Sequence, residues 1–515
     1  MTMSKKLLLS VITGLLVATS YIPFYPWALF FCFLPLWLVW QEERSPKKAF
    51  WYGWLAQFTF NIIGFHWIYH TGKEFGHLPI PLAILGLVAF ASFASLQLPL
   101  SGAVAVWIQR KISLNPYEKL FCYSFLFYIF EQLYPTIFPW SLGYPWLYAH
   151  WPAVQWAEFI GIEGLGFLTL LFHIFFYHMI TQRQNWRLVS RWAVTFCLIF
   201  VSLNMAGLWR AKEFEKEPQH LKVLAIQANI GNLEKAYAEK GAGYQSYILN
   251  SYMDLIKEGL LAHPEAEAIV LPETALPITL DPPYQSLYLQ EQWFQLAKEI
   301  QRPIITGAYS EPGDGLTYNS IFFLEPPFTT STKYDKSILL AFGEYIPGGD
   351  IFPRLYQWLP FVSHFGRGQG PQVISWHHMK VGAQVCYEGL YPKFTQSLSQ
   401  QGAQWIVNLT NDSWFGNQFE PQQHMIMTLA RAIEFRRPLL RVTNTGISTL
   451  ITASGQIQQL SPTFQKWYGI YDLPYQENPR DTFYSQWGIY SEALAFVGLL
   501  FVLFRAKRRS DVSLS

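Results

Sequence analysis

Apolar residues follow two regimes along this chain. Up to about residue 212, and again over 487–504, they run on with few polar interruptions. A helix needs about 20 mainly apolar residues to cross a bilayer. Runs of that order predict spans near 6–22, 24–41, 50–70, 80–108, 117–134, 157–181, 190–209 and 487–504. The fourth run is long and carries Pro99 near its end. One kinked or tilted helix is expected there, because two short helices would reverse the direction of everything that follows. The first run has the look of a signal peptide. A second apolar run follows it at once, with no small-residue cleavage site, so it is read as a retained first span.

Between residues 213 and 480 the pattern changes. Short β-rich runs, "LKVLAIQANI", "EAIVLPET", "RPIITGAYS", "NSIFFLE", "MKVGAQVCYE", "QWIVNLTNDS" and "PLLRVTNTGISTLIT", alternate with helical stretches such as "SYILNSYMDLIKEGLLAH", "SLYLQEQWFQLAKEI" and "QHMIMTLARAIEFRR". That alternation predicts a layered α/β domain. The expected organisation is a membrane bundle of seven transmembrane helices over 1–212, an α/β domain over 213–480, and a last transmembrane helix with a basic tail over 481–515. Segment 348–370 breaks the pattern, being aromatic and punctuated by Pro and Gly. It reads either as a covered surface loop or as an arm that contacts lipid.

Charge supports the membrane reading and orients it. Charged residues make up 14% of the chain and hydrophobic residues 51%, where soluble proteins carry about 25% charge. Aromatic residues reach 18%, as expected of interfacial belts. Lys5 and Lys6 precede the first span, and Arg44, Lys47 and Lys48 follow the second. Arg110, Lys111 and Lys119 follow the fourth, Arg183, Arg187 and Arg191 the sixth, and Arg505, Lys507, Arg508 and Arg509 the last. The opposite short loops hold little that is basic beyond Lys73. The positive-inside rule then places both termini in the cytoplasm and the α/β domain outside, with a parity that closes at eight spans. A net charge of +2 and no basic cluster interleaved with aromatics give no reason to expect nucleic acid as a partner.

Three strand ends in the α/β region carry candidate chemistry. "IVLPETALP" puts Glu273 between Pro272 and Pro277, where it is either a solvated loop acid or one aimed by rigid backbone. "YDKSILLAFGEYIP" holds Lys336 and, eight residues on, Glu344. Taken alone Lys336 is an ordinary snorkelling lysine, but beside two carboxylates it stays protonated and can hold an oxyanion. "VGAQVCYEGLYP" delivers Cys386, followed by Tyr387 and Glu388. Cys32, Cys122 and Cys197 lie in the apolar runs, so no disulfide can form within the α/β domain. Free cysteine is usually a buried core residue. At a helix N-terminus beside a cation, its thiol is expected to have a lowered pKa and to serve as a nucleophile. Glu, Lys and Cys together supply the base, the oxyanion stabiliser and the nucleophile that acyl transfer requires.

In these residues the chain resembles the nitrilase superfamily, whose Glu–Lys–Cys triad sits on an αββα sandwich. The resemblance extends to "AIQANIG" at 225–231, "NLTNDSWFG" at 408–416 and "QQHMIMTLARAIEFRRPLLRVTNTGIS" at 422–448. With "FPWSLGYPW" at 138–146 and "WAEFIGIEGLGFL" at 156–168 in the bundle, it is similar to one branch, the apolipoprotein N-acyltransferases. The implied protein is a polytopic α-helical membrane bundle of eight spans carrying an extracytoplasmic nitrilase-like αββα domain, in a bacterial inner membrane with a periplasmic active site. The resemblance implies Cys386 as nucleophile, Glu273 as general base and Lys336 as oxyanion stabiliser, helped by the Tyr387 N–H. It implies supporting roles for Glu344, Tyr387 and Glu388, and a pocket-lining role for Trp414. The implied donor is a membrane phospholipid, the acceptor the N-terminal diacylglyceryl-cysteine of an apolipoprotein, and the intermediate a cysteine thioester. No metal or organic cofactor is implied, and no HExxH, CxxC or Gly-rich phosphate loop suggests one.

The sequence departs from the family pattern in three places. No Trp follows "QANI", where Tyr237 is the nearest aromatic; Ala341 stands where the family has proline before "FGE"; and Leu271 replaces the Trp of "WPET". Two rival functions use other evidence. A membrane-tethered nitrilase-type amidase would share the triad but not need the bundle, and a non-catalytic membrane scaffold would tolerate loss of Cys386.

Overall fold

The computed structural model describes residues 1–74, 76–216, 219–231, 243–282, 287–328, 331–359 and 362–512. Tyr237 lies outside the described residues, as do positions 360 and 361 of the aromatic segment. The chain forms two compact units. Met1–Lys73, Leu78–Ala211 and Gln486–Ser515 make up one, and Glu74–His77 with Lys212–Ser485 the other.

The first unit is helical. Three of its segments, Ile80–Lys111, Pro152–Thr181 and Trp186–Lys212, are by length and composition apolar enough to cross a membrane. The run expected to span at 24–41 is helical only over Leu34–Glu42, with turns before it. Pro35 explains the late start, since its ring excludes the carbonyl four residues back and favours the first helical turn. The fourth run is broken into helices Ile80–Phe93 and Gln97–Lys111. Pro99 accounts for the break by the same clash, which falls on Ser95.

The break does not reverse the chain. Both pieces pack along helix Pro46–Gly64, whose Trp54 donates to Ser92 O at 3.1 Å and whose Asn61 donates to Ala91 O and Ser95 Oγ, both at 3.0 Å. Gly53 meets Pro99 so closely that a Cβ would lie 2.8 Å from its Cα, and Phe65 contacts Phe90 with ring centroids 5.7 Å apart. Rising positions on one helix match falling positions on the other. The two pieces therefore continue one antiparallel path.

The second unit holds two sheets. Strands β1 (Gln219–Gln227), β2 (Ala268–Val270), β3 (Leu276–Thr279), β4 (Ile304–Ser310), β5 (Tyr318–Leu324), β6 (Ser331–Asp335) and β12 (Trp467–Tyr475) form one, in the order β12-β1-β2-β4-β5-β6 with β3 beside β4. Strands β7 (Val373–Trp376), β8 (Met379–Val385), β9 (Trp405–Thr410), β10 (Leu439–Thr443) and β11 (Thr449–Ile451) form the other, in the order β11-β10-β9-β8-β7. Helices Tyr244–Ala262 and Tyr288–Ile300 cover the first sheet, with Ile248, Tyr252, Ile256 and Trp293 in one cluster with Leu224, Ile226 and Phe322. The strand period sends the next residue of β5 to the other face, where Phe323 meets Trp376 of the second sheet edge to face at 6.4 Å. Helices Pro392–Gln400 and Glu420–Phe435 belong to the second sheet, and Leu398 packs on Gly382 of β8. The layers run helix, sheet, sheet, helix. Of the twelve strands among the described residues, β3, β6, β7 and β12 are not evident from the hydrophobic pattern, because each is short, polar or half-exposed.

Candidate active site

Glu273 sits just past β2, where Pro272 and Thr274, the latter at φ 45°, turn the chain sharply. Gly307 of β4 makes room for that turn, since a Cβ there would lie 2.4 Å from Thr274 N and 2.7 Å from Glu273 Cα. Lys336 follows β6, and its N–H donates to Asn319 O of β5 at 2.9 Å. The ammonium lies 3.1 Å from Glu273 Oε1 and 2.8 Å from Glu344 Oε1. Glu344 is fixed from its other oxygen, which accepts from Leu340 N–H at 2.8 Å. All three side chains are buried. Burial alone would push the lysine pKa down, but Glu273 and Glu344 together outweigh it and hold the ammonium charged.

Cys386 ends β8 and opens a single 3-10 turn, Cys386–Leu390. Its backbone is left-handed, at φ 50°, a conformation a non-glycine residue holds only when its surroundings enforce it. Asn408 of β9 provides part of that enforcement, donating to Cys386 O at 3.2 Å. The thiol feels four charged groups, Glu273, Lys336, Asp412 and Glu344. Contrary to the expectation of a lowered pKa, burial pushes the thiol well up, Glu273 adds to this, and Lys336 only partly offsets them. One short 3-10 turn carries little dipole, and desolvation of the thiolate dominates. At rest the sulfur is therefore a thiol, and it needs a base to become a nucleophile.

Glu388, fully buried, ties the cysteine turn to the lysine turn. Its Oε1 accepts from Tyr334 Oη at 2.6 Å, Ser337 N–H at 2.7 Å, Ser337 Oγ at 3.0 Å and Ile338 N–H at 3.1 Å, while Oε2 accepts from Val385 N–H at 2.8 Å. Burial raises its carboxyl pKa, and these hydrogen bonds act against that. Tyr387 is buried beside Cys386 and accepts from Tyr391 Oη at 2.7 Å, the rings meeting edge to face at 5.2 Å. Trp414 is half-buried on the 3-10 turn Asp412–Phe415 that follows β9.

Two features escaped the sequence reading. Asn319 donates to Glu273 Oε1 at 2.7 Å and to Glu344 Oε1 at 3.1 Å, bridging the same two oxygens as Lys336. Its signal was an amide opening the apolar run "NSIFFL", since a buried amide must find partners. Asp412 is the other. It lies 2.9 Å from Arg441 Nη2 and 2.9 Å from His424 Nδ1, which is 3.3 Å from Glu420. An arginine inside the apolar run "LLRVT" was the signal for it. Oxygen and nitrogen atoms of Asp412, Glu420 and His424 lie within 4.8 Å of one another, a spacing that suits a metal ion. The Arg441 guanidinium also donates to both Asp412 oxygens.

A buried glutamate, lysine and cysteine at strand ends of a two-sheet α/β domain define a carbon–nitrogen hydrolase unit. The carbon-nitrogen hydrolase family model matches residues 217–477, and that of the apolipoprotein N-acyltransferase N-terminal domain matches residues 13–175. An apolipoprotein N-acyltransferase of Bdellovibrio bacteriovorus is 42% identical over 491 residues, covering 93% of this chain and 90% of that one. One of Geobacter metallireducens is 28% identical over 518 residues, covering 98% and 96%. A carbon-nitrogen hydrolase crystal structure from Helicobacter pylori aligns with 50% of this chain and 89% of its own, at 17% identity and a TM-score of 0.37. The chain belongs to the apolipoprotein N-acyltransferase family, and it is an N-acyltransferase.

Proposed function

We propose that the protein moves an acyl chain from a membrane phospholipid to the N-terminal α-amine of a diacylglyceryl-cysteine on an apolipoprotein, through a thioester on Cys386. Glu273 takes the thiol proton and the sulfur attacks an ester carbonyl of the donor. Lys336, held charged by two carboxylates, stabilises the oxyanion, with the Tyr387 N–H beside it. The C–O bond breaks, Glu273 returns the proton to the leaving alkoxide, and a lysophospholipid departs. The acceptor amine then attacks the thioester, a C–N bond replaces the C–S bond, and the proton lost by nitrogen restores the thiol through Glu273. Glu344 and Glu388 position Lys336 and the cysteine turn, and Trp414 lines the pocket. No step calls for a metal or organic cofactor.

The observation that carries this reading is the ammonium of Lys336 shared between Glu273 and Glu344 beside a buried, neutral thiol. A neutral thiol has to be deprotonated in the reaction, a charged lysine cannot do it, and the family resemblance gives that step to Glu273. We further infer eight membrane passes in a bacterial inner membrane, with both termini cytoplasmic and the α/β domain periplasmic. Both lipids keep their tails in the bilayer, at about 0.8 kcal/mol per buried CH₂, so chemistry at the membrane surface suits them.

Mass spectrometry of the protein purified from membranes tests the mechanism. A phospholipid-derived acyl group is expected on Cys386, removed by hydroxylamine and missing from Glu273→Gln and Lys336→Ala. A wild-type enzyme that never acylates with phospholipid present would overturn it.

A further inference from the structure

The short stretch Gly366–Arg367–Gly368 lies against the residues that form the site. Phe365 N–H donates to Glu344 O at 3.2 Å, Gly366 N–H to Thr317 O at 2.9 Å, and Gly368 N–H to Lys336 O at 2.8 Å. Glycine on either side of the arginine permits this approach. A Cβ on Gly366 would come 2.5 Å from the Tyr318 ring, and one on Gly368 would come 1.9 Å from Asp335 O. The backbone of Arg367 is thus pinned to the peptides that present Glu344 and Lys336.

Its side chain is exposed yet ordered by stacking, with the guanidinium carbon 4.3 Å from the centroid of the Tyr345 ring. Tyr345 in turn lies close enough to Tyr387 and Tyr391 to influence the ionisation of both hydroxyls. Arg367 thus sits at the edge of the neighbourhood that holds Tyr345, Tyr387 and Cys386. Four cations of this unit are matched by carboxylates: Lys333 by Asp281, Lys336 by Glu273 and Glu344, Arg437 by Asp481, and Arg441 by Asp412. Among the described residues Arg367 has no carboxylate partner. The stacked guanidinium is exposed, and its planar fork of N–H donors suits a phosphate bidentately.

We propose that Arg367 binds the phosphodiester of the acyl donor and so sets which ester carbonyl reaches Cys386. This rests on the reading of the donor as a glycerophospholipid. In such a lipid the phosphate and the ester carbonyls hang from one glycerol a few bonds apart, so fixing the first restricts the second. The diacylglyceryl acceptor has no phosphate. The contact therefore separates two lipids that otherwise present the same glyceryl esters to one pocket.

Single-turnover acylation of Cys386 by the full-length enzyme in detergent micelles tests the assignment, with two palmitoyl donors compared. One is a dipalmitoyl glycerophospholipid, the other the neutral activated ester p-nitrophenyl palmitate. The readout is the ratio of their second-order acylation rates. Arg367→Gln is expected to lower that ratio about tenfold or more, as for the loss of a charge-assisted hydrogen bond. Arg367→Lys should fall between, since its ammonium supplies charge without the fork. A ratio unchanged in both variants overturns the proposal. Millimolar inorganic phosphate can compete only for that fork, so any fall in the ratio that it causes should be confined to wild type; an equal fall in Arg367→Gln would place the anion site elsewhere and overturn the assignment. Failure of the wild type to acylate with either donor would instead sink the acyl-enzyme mechanism itself.

Discussion

Replacing Lys336 by methionine removes one ammonium and keeps an unbranched side chain of similar length. The two native contacts, 3.1 Å to Glu273 Oε1 and 2.8 Å to Glu344 Oε1, hold those oxygens no more than about 6 Å apart. At an effective dielectric constant of about 20, two unit charges at that separation repel by about 3 kcal/mol. Protonating one of the two carboxyls relieves that repulsion. Asn319 remains as a bridge, but an amide dipole does not neutralise two charges. In the wild type, Lys336 has a folded pKa raised above its unfolded value, so its contribution is complete below about pH 10 and is lost only at higher pH. In the variant the folded state binds a proton more tightly than the unfolded chain, and stability rises as pH falls towards 5. Thermal unfolding of both full-length proteins in detergent, followed from about pH 8 down to pH 5, checks this. The deficit of Lys336→Met should be largest at the alkaline end and shrink in acid. A deficit independent of pH, or one that grows in acid, would refute the shared-ammonium electrostatics.

Two further perturbations follow from the same geometry. Glu388→Ala leaves the N–H groups of Ser337, Ile338 and Val385 without their acceptor. At about 1–3 kcal/mol each, that loss approaches the whole stability of a typical domain. The variant should yield little folded protein, and an unfolding temperature near wild type would contradict the bracing role. His424 offers a pH test. Burial alone would lower its pKa, but Asp412 and Glu420 prevail and raise it to about 9, while burial and Asp412 raise Glu420 to about 7. Both shifts make the folded state hold protons more tightly, so wild-type stability should fall as pH rises, between about 4.5 and 7 for Glu420 and between about 6.5 and 9 for His424. The fall should be shallower in His424→Gln, and identical slopes would show that this network does not titrate as argued.

Much of the site was legible along the chain because chemistry of this kind sits at strand ends. Apolar runs deliver Glu273 and Cys386 to the tips of β2 and β8, and each run is recognisable without knowing its neighbours. Lys336 was less visible as a strand-end residue, since "STKYD" has no apolar face of its own and becomes β6 only by pairing with β5. Asn319 went unread, because the partners that give its amide a role lie 46 and 25 residues away. Pro99 was plain to read, yet whether a proline ends a helix or bends one depends on what packs beside it.

Local pattern and composition therefore determined that this chain has a helical apolar part and an α/β part, and which residue types could carry acyl transfer. These properties depend on near neighbours, where periodicity, proline and charge act directly. Only the tertiary structure decided the state of the groups. It buried the thiol enough to keep it neutral, placed one ammonium between two carboxylates, and laid Arg367 against the backbone of Lys336. Ionisation and binding depend on desolvation and on charges a few ångströms away in space, and those distances arise from pairings between residues far apart in the chain. A cysteine at the end of β8 reads from sequence either as a packed core residue or as a nucleophile. In the fold, burial and the Glu273 carboxylate hold its thiol protonated.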